Sequence, residues 1–571
     1  MRSDDTIKIC AFDKGNGLVI LDSDDYYNKL DVIISDRSKF ELIQGTVNKD
    51  HPILKEEAKI QRYIRSHIKE HVDSKEYARL YPTGSQPGKL YGLCKTHKEG
   101  YPMRPVVSMT GTSCYWLAKY LDKFIKRCIP KRFMVKSTGS FMEEINNFDF
   151  SEGDKLISFD AVSLFTNVPL HHTIDIISEY VYDDGNHFQP PFPKNVFKKL
   201  LKCATEGIFM YNGQMYRQVD GVTMGSPLGP TLANFFLAHM EKNILKSPNI
   251  VKPKYYLRFV DDCFTVFSSG SDHTSFLNAL NQYHPNMKFT VEIGNEKLSF
   301  LDTHISIENG KFESWVFRKA TNTGVVLNFC AVCPDQWKKG LIQCFLHRAW
   351  TVCSSYVLLH QEIEKLKTMF TSNGYPLQFI EGIVSKFLHD KLNPTRKPID
   401  DEVEKRFILR IPFVGKASLE FKKRITDIVK DDYKVNFSCV FVPSKVKDYF
   451  SLKCRSPTFL QSNVVYKFSC KDDPSIFYIG ETQRHIGIRA MEHFKLTGLS
   501  SAVGNHVKDC AGCKSSLDSG DLTFKDFEII KSGRSKLDIE VAESILVRRH
   551  NPPLNKQLFK AGCPFTCRIF I

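Results

Sequence analysis

Nothing in these 571 residues reads as a membrane anchor. No uninterrupted apolar stretch is long enough to cross a bilayer, and the start, MRSDDTIKIC, lacks the basic end and apolar stretch of a secretory leader. A soluble, intracellular chain with no membrane partner is expected. Repeats of fixed period and low-complexity tracts are also missing, which sets aside solenoids, propellers and collagen-like rods. Acids are in deficit, 64 Asp and Glu against 79 Lys and Arg, which leaves +15 at pH 7. Such a surplus favours a polyanionic partner by counterion release, nucleic acid before any other. The 17 cysteines are an odd number scattered over a long chain. Buried thiols and at most a metal site are expected, and a disulfide scaffold is not. Cys10, Cys128 and Cys203 are expected to pack as small hydrophobes.

What is present is ample apolar material, 42% hydrophobic and 12% aromatic. A chain of this length should build two or more cores. Turn-rich text at 84–88 and at 393–398 marks breaks, and the second reads as a linker. Between Phe407 and Phe450 the apolar spacing suits a helix and short strands. A further boundary falls near Cys454, after which 464–468 and 476–480 read as a strand pair and 484–495 and 538–550 as helices.

Three acids stand in apolar text. The run 155–160 is an apolar strand that ends in Asp160, and 255–267 is a hairpin pattern with Asp261 and Asp262 at its bend. Carboxylates in such surroundings are costly to ionise unless a cation compensates them, so a divalent metal site is the economical reading. Two Mg²⁺ ions about 3.5–4 Å apart there would clamp an attacking 3′-hydroxyl and a leaving pyrophosphate oxygen, the chemistry of a polymerase. An isolated Asp-Asp pair more often tightens a solvated turn.

The surrounding motifs decide between these readings. Asp13-Lys14-Gly15, Leu93-Cys94-Lys95-Thr96-His97-Lys98, Arg104-Pro105-Val106-Val107-Ser108, the run 159–169, Gly225-Ser226-Pro227-Leu228-Gly229-Pro230, Phe259-Val260-Asp261-Asp262, Phe300-Leu301-Asp302 and Phe317-Arg318-Lys319 follow one another in order. In this the chain resembles the reverse transcriptases of Penelope-like retroelements, relatives of telomerase reverse transcriptase. The resemblance implies an α+β multidomain protein with a right-hand polymerase of fingers, palm and thumb over 1–392, and a bridging module over 393–453. It makes Asp160, Asp261 and Asp262 the acids of a Mg²⁺ or Mn²⁺ site and places Phe165 as a steric gate under the nucleotide sugar. Gly225, Ser226 and Pro227 would open a helix over 231–242 that approaches template and base pair, while Lys95 and Arg104 have the chemistry to neutralise a triphosphate. The stretch 337–366 and Asn373-Gly374-Tyr375-Pro376 look like the thumb. Phe259 stands where many members have Tyr, and the chain begins only a few residues before Asp13, where the family carries a longer region.

From Cys454 onward, Tyr466, Tyr478-Ile479-Gly480, Arg489, His493, Glu543 and Asn555 recur in an order similar to GIY-YIG endonucleases, with Val465-Tyr466-Lys467 in place of the first motif. The resemblance implies a small α/β nuclease over 454–571. Phosphodiester cleavage needs a base, a clamp for developing negative charge and a cation on the leaving side. Tyr478, Arg489 and Glu543 supply one of each, with Glu540 one helical turn away as the alternative metal ligand. Tyrosines on a half-buried strand pair and an i,i+3 ion pair of Arg489 with Glu492 account for the same residues structurally.

His506 precedes Cys510 and Cys513, with Cys470 and Cys454 upstream. Such ligands suit a structural tetrahedral Zn²⁺, and simple buried thiols are the alternative. His506 also matches a histidine the nuclease family uses near its active site. The combined expectation is an RNA-directed DNA polymerase that takes an RNA template, a DNA primer, dNTPs and target DNA. It would be made in the cytoplasm and act in the nucleus on a 3′-end that its own nuclease exposes. The rivals are a catalytically inactive, N-terminally truncated nucleic-acid-binding remnant, and a nuclease whose polymerase-like part only docks it.

Overall fold

Alternation along the strand Lys155–Ala161 places Ile157 and Phe159 on one side of a sheet and Leu156, Ser158 and Asp160 on the other. The computed structural model, which describes residues 4–15, 17–45, 50–183, 185–294, 297–308, 311–394, 407–433, 437–443, 453–494 and 501–555, shows what each side meets. This strand lies inside a four-stranded antiparallel sheet, between Phe289–Gly294 and Asp262–Phe267, with Tyr255–Phe259 beyond the latter. Ile157, Phe159, Cys263 and Phe267 face a core built with the helices Leu170–Val181, Gly229–Lys246 and His273–Gln282. Leu156, Phe264 and Val266 face a second core with Phe141, Phe300 and Ile305. The helix Gly229–Lys246 starts earlier and runs further than 231–242, with Pro230 in its first turn, where the missing N–H costs nothing.

A second, five-stranded sheet, in the region where the resemblance expects the fingers, has the order Phe40–Ile43, Gln214–Gln218, Ile208–Tyr211, Gly88–Cys94, Met103–Ser108. Gly88–Cys94 alternates buried and half-buried residues along its length, the pattern of a strand with one face in the core. The Gly84–Gly88 text, read above as a break, is an ordered turn with Ser85 buried. The stretch 337–366 is two helices, Asp335–Val352 and Tyr356–Ser372, because Ser355 caps the second by accepting from the N–H of Leu358 at 3.3 Å. With Leu377–Leu392 they form a bundle around Leu346, Ile363, Phe370, Tyr375 and Phe387. Arg318 ties this bundle to the palm through both oxygens of Glu362.

The bridging stretch is a parallel strand pair, Phe407–Pro412 with Phe437–Val442, joined by the helix Lys416–Tyr433. Residues 395–406 and 444–452, and Lys495 at the expected end of a helix, lie outside the described residues. The C-terminal unit is a three-stranded antiparallel sheet, Phe477–Thr482, Val464–Ser469 and Phe527–Ser532, covered by the helices Ile486–Phe494, Ala502–Asp509, Ala511–Asp518 and Lys536–His550. Among the described residues no helix is long and apolar enough to cross a membrane.

Candidate active sites

Asp160 and Asp262 are directly opposed in the antiparallel register. Residues so opposed share a face, so both carboxylates stand on the same side of the sheet, beyond the second core, and Asp261 joins them from the turn. One ligand oxygen from each of the three lies within 4.8 Å of the others. They sit in a cleft of about 1040 Å³ whose walls include Ser158, Thr290, Phe300, Asp302 and Lys319. Val260 makes the turn at φ 57°, left-handed backbone that a β-branched residue rarely adopts. A buried arginine supports it. Arg258 donates to the Val260 carbonyl at 2.8 Å and to Asn234 Oδ1 at 2.8 Å, and pairs with buried Glu241, all from beneath the turn.

Burial, then the negative charges of Asp261 and Asp160, push the Asp262 carboxyl up to about 6. Burial and Asp261 likewise raise Asp160. Acids that resist ionisation because they face one another are the arrangement a hard divalent cation relieves. The raised Asp262 contributes stability as a protonated acid below its unfolded value near 3.8 and loses that contribution as pH rises through about 6. Mg²⁺ is therefore expected to raise the thermal midpoint more at pH 7.5 than at pH 5, and Asp262→Asn to erase that difference. Differential scanning fluorimetry at the two pH values checks it.

Four cations offset the acids. Lys14, Lys98 and Arg104 favour the ionised form of Asp160, and Lys319 and Lys14 that of Asp262. Arg104 lies 3.0 Å from buried Asp13, which fixes its Nε end. Lys95 is lowered by burial and by Arg104 and Lys98, the mark of crowded positive charge. Lys14, Lys98 and Lys319 escaped the sequence reading as site residues although each sits inside a motif singled out there. Arg258, Glu241 and Asn234 escaped it because two of them lie 17 and 24 residues from the arginine they meet.

Phe165, Gly225, Ser226 and Pro227 come together in a separate hollow of about 340 Å³, with Tyr115 and Lys119. Gly225 has φ 109°, and a Cβ there would run into the Val107 carbonyl. Glycine is thus required by the close crossing of this turn over the strand Met103–Ser108. None of these four lines the cleft of the acids.

In the C-terminal unit Tyr466 is fully buried and burial drives its phenol well above the ordinary value. Arg489 Nε donates to its oxygen at 3.4 Å, and the hydroxyl meets His493 Nε2 at 2.8 Å. Burial, aided by Arg489, pushes His493 down to about 3, so the ring is neutral at working pH. Its Nδ1 is 2.9 Å from Ser501 Oγ, which accepts from the Gly504 N–H. Arg489, Tyr466, His493 and Ser501 are thus linked in one chain of hydrogen bonds. Tyr478, half-buried on the neighbouring strand, is the more accessible phenol. Both rings close over Gly480, where a Cβ would lie 2.5 Å from Tyr478 and 2.9 Å from the Tyr466 hydroxyl. Glu543 is buried and acts electrostatically on Tyr466, whereas Glu540 lies 3.6 Å from Lys536 on the helix surface. The i,i+3 pair of Arg489 with Glu492 is present at 3.3 Å, and Glu492 is also held by Arg484 at 2.5 and 2.7 Å. Asn555 lies beside this cluster, against the strand of Tyr478. Its side-chain amide brackets Ile479, accepting from the N–H at 3.0 Å and donating to the carbonyl at 2.7 Å, which pins the strand of Tyr478.

Cys470, His506, Cys510 and Cys513 offer four ligand atoms all within 4.8 Å of one another. Sγ of Cys470 is 3.5 Å from that of Cys510 and 3.7 Å from that of Cys513, which is 3.8 Å from His506 Nε2. A tetrahedron with Zn–S bonds of about 2.3 Å has edges of about 3.8 Å, so the spacing as well as the donor set suits Zn²⁺. Although burial opposes it, the N–H of Asp473 and His506 together bring the Cys470 thiol down to about 7. His506 therefore sits with the thiols, and Cys454 is not part of this set.

Residues 96–309 match the family model for reverse transcriptase (RNA-dependent DNA polymerase), and residues 325–384 match that for an animal helix-turn-helix domain. The second match falls on the first two helices of the bundle and the start of the third. Comparison with curated proteins returns no match. Among solved structures, telomerase from Candida tropicalis truncated from its C-terminal domain is 10% identical with a TM-score of 0.37, over 53% of this chain and 63% of that one. Telomerase from Candida albicans with a TWJ fragment of telomeric RNA is 12% identical with a TM-score of 0.37, over 63% and 68%. The Sicinivirus 3Dpol RNA-dependent RNA polymerase is 11% identical with a TM-score of 0.33, over 65% and 86%. The chain spans less than two thirds of the first of these.

Proposed function

We propose that this chain is the reverse transcriptase of a Penelope-like retroelement, an RNA-directed DNA polymerase joined through a bridging module to a GIY-YIG endonuclease. The observation that carries the polymerase half is the convergence of Asp160, Asp261 and Asp262 within 4.8 Å at the foot of a cleft, inside the part of the chain that matches the reverse transcriptase model. The three carboxylates would hold Mg²⁺ or Mn²⁺, which supplies charge neutralisation for the primer 3′-hydroxyl and the departing pyrophosphate. The chain's own residues do the rest. Lys14, Lys95, Lys98 and Arg104 form a positive wall that draws in and orients a dNTP triphosphate. Arg258 and Glu241 hold the turn of Asp261 in its left-handed form, so the acids stay converged as substrates exchange. By the resemblance Phe165 would be the residue that excludes a 2′-hydroxyl, although it lines the hollow of Gly225 and not the cleft of the acids.

In the C-terminal unit, Arg489 would steady charge on the scissile phosphate while Tyr478 handles the attacking water's proton, and Glu543 would hold the single divalent ion. Tyr466, buried and hydrogen-bonded to both Arg489 and His493, orients Arg489 and is not itself a base. A nick in target DNA would expose the 3′-end that the palm extends along RNA. Acting on chromosomal DNA, the protein would work in the nucleus after synthesis in the cytoplasm. Extension of a labelled DNA primer on RNA with Mg²⁺ and dNTPs tests the first half, and no incorporation by the wild type would leave a binding remnant.

Zn²⁺ at the Cys470, His506, Cys510 and Cys513 set is proposed as structural. Cys513→Ser is expected to remove one equivalent of zinc and destabilise the C-terminal unit by several kcal/mol, on the order expected when a structural zinc is lost. Metal analysis of the purified protein together with its thermal midpoint reads both effects, and full zinc content in the variant refutes the assignment.

A further inference from the structure

The C-terminal unit is seated on the fingers. Phe459 and Leu460, just upstream of its first strand, are buried in one cluster with Ile53 and Ile208 of the fingers. His485 is 2% exposed, and its Nε2 lies 2.7 Å from the Ser85 carbonyl. Ser462 Oγ donates to the Gly84 carbonyl at 2.6 Å, and Gln86 donates to Ser462 Oγ at 3.1 Å and to the Leu460 carbonyl. Gly84 has φ 66°, and a Cβ there would collide with the Gln483 carbonyl. The fingers turn thus lies backbone to backbone against the C-terminal unit, an approach only glycine permits.

The helix Ile486–Phe494 begins at this contact and is packed on two sides. Ile488 and Met491, three residues apart, join the cluster with Ile53 and Phe459. Phe459 also fills the space beside Gly487, where a Cβ would collide with its ring. The opposite side carries Ile486 and Ala490 into the nuclease-like core, and Arg489 and His493 to Tyr466. Without the fingers, Phe459, Leu460, Ile488 and Met491 would lose the Ile53 and Ile208 part of their cluster, and the helix would keep its packing mainly on the other side.

We infer that the turn 84–86 and the Ile53–Ile208 floor form a docking seat for the C-terminal unit, and that this seat holds in place the helix bearing Arg489 and His493. The two units are then coupled within one chain. Fingers and nuclease-like site share a rigid contact, and the strand that starts at the seat, Gly88–Cys94, leads directly into Lys95.

The test uses the full chain with Gly84→Arg, which drives a side chain into the seat. Gly270→Ala is the control, since it has the same sign of φ at 77° with nothing within 4 Å of a Cβ. Small-angle scattering reads docking, and amide hydrogen exchange reads the helix. The expected result is a larger radius of gyration and at least tenfold faster exchange over 486–494, with the palm strand Lys155–Ala161 unchanged and the control like wild type. His485→Ala combined with Ser462→Ala, which removes hydrogen bonds without a clash, should move both readings the same way if Gly84→Arg also loosens the palm. An undocked protein with the helix still fully protected overturns the inference, and so does an unchanged radius with unchanged exchange. A nicking assay adds the functional arm, which rests on the nuclease reading: wild-type nicking lost on undocking agrees with the seat's role, and equal nicking by wild type and undocked variant contradicts it. Wild type that never nicks removes the nuclease reading and leaves the exchange result to decide.

Discussion

Asp261→Ala and Asp160→Asn each lower RNA-templated primer extension by about 10³-fold or more, a loss of about 4 kcal/mol of transition-state stabilisation. Both carboxylates are expected to hold cations at the developing charge, and each is one of only three acids that converge within 4.8 Å among the described residues of this cleft. Asp160→Asn is the sharper version because it keeps the shape of a residue in the middle of the palm sheet. Removing one of three mutually repelling acids also relieves the metal-free fold, so its thermal midpoint without Mg²⁺ should stay level or rise. Lost extension with undiminished stability separates a failure of chemistry from a failure of folding. Single-turnover extension on RNA, with a melting curve of the same preparation, measures both. Incorporation at the wild-type rate by Asp261→Ala would end the polymerase reading.

Arg489→Ala and Glu543→Gln should abolish nicking of supercoiled plasmid, by about 10²-fold or more, while extension persists. Arg489 spans the buried Tyr466 phenol on one side and Glu492 on the other, so its removal takes away both a cation and the orienting donor for Tyr466. Glu543→Gln preserves volume in a buried position and deletes only the charge. Glu540→Gln is the companion, and because Glu540 is turned to Lys536 it should nick normally. Nicking unaffected by Glu543→Gln but lost with Glu540→Gln would exchange the two assignments.

Much of the candidate site was legible because strand chemistry obeys a period of two. Once 155–160 and 262–267 are strands of one sheet, Asp160 and Asp262 share a face whenever the register pairs them, and the hairpin text places Asp261 at the bend. The need for glycine at Gly225 was not legible locally, because it arises where its turn crosses the Val107 carbonyl, more than a hundred residues away in the chain. His506 had two readings, and only the packing of Ala502–Asp509 against Ala511–Asp518 placed it with the thiols. Within the stretch 337–366 the break between two helices was not marked out, because a serine cap leaves the apolar period nearly intact across it.

By itself the amino-acid order determined the basic surplus, the need for more than one core, the strands around Asp160 and Asp262 and the acids that end them, since local periodicity and charge are properties of neighbours in the chain. Tertiary structure alone decided which distant charges meet. Lys14 and Lys98 reach Asp160, Glu241 and Asn234 reach Arg258, and Gly84 meets Ser462 across 378 residues. Electrostatics and close packing act through space, and their partners are selected by how sheets and helices stack, which no local pattern encodes.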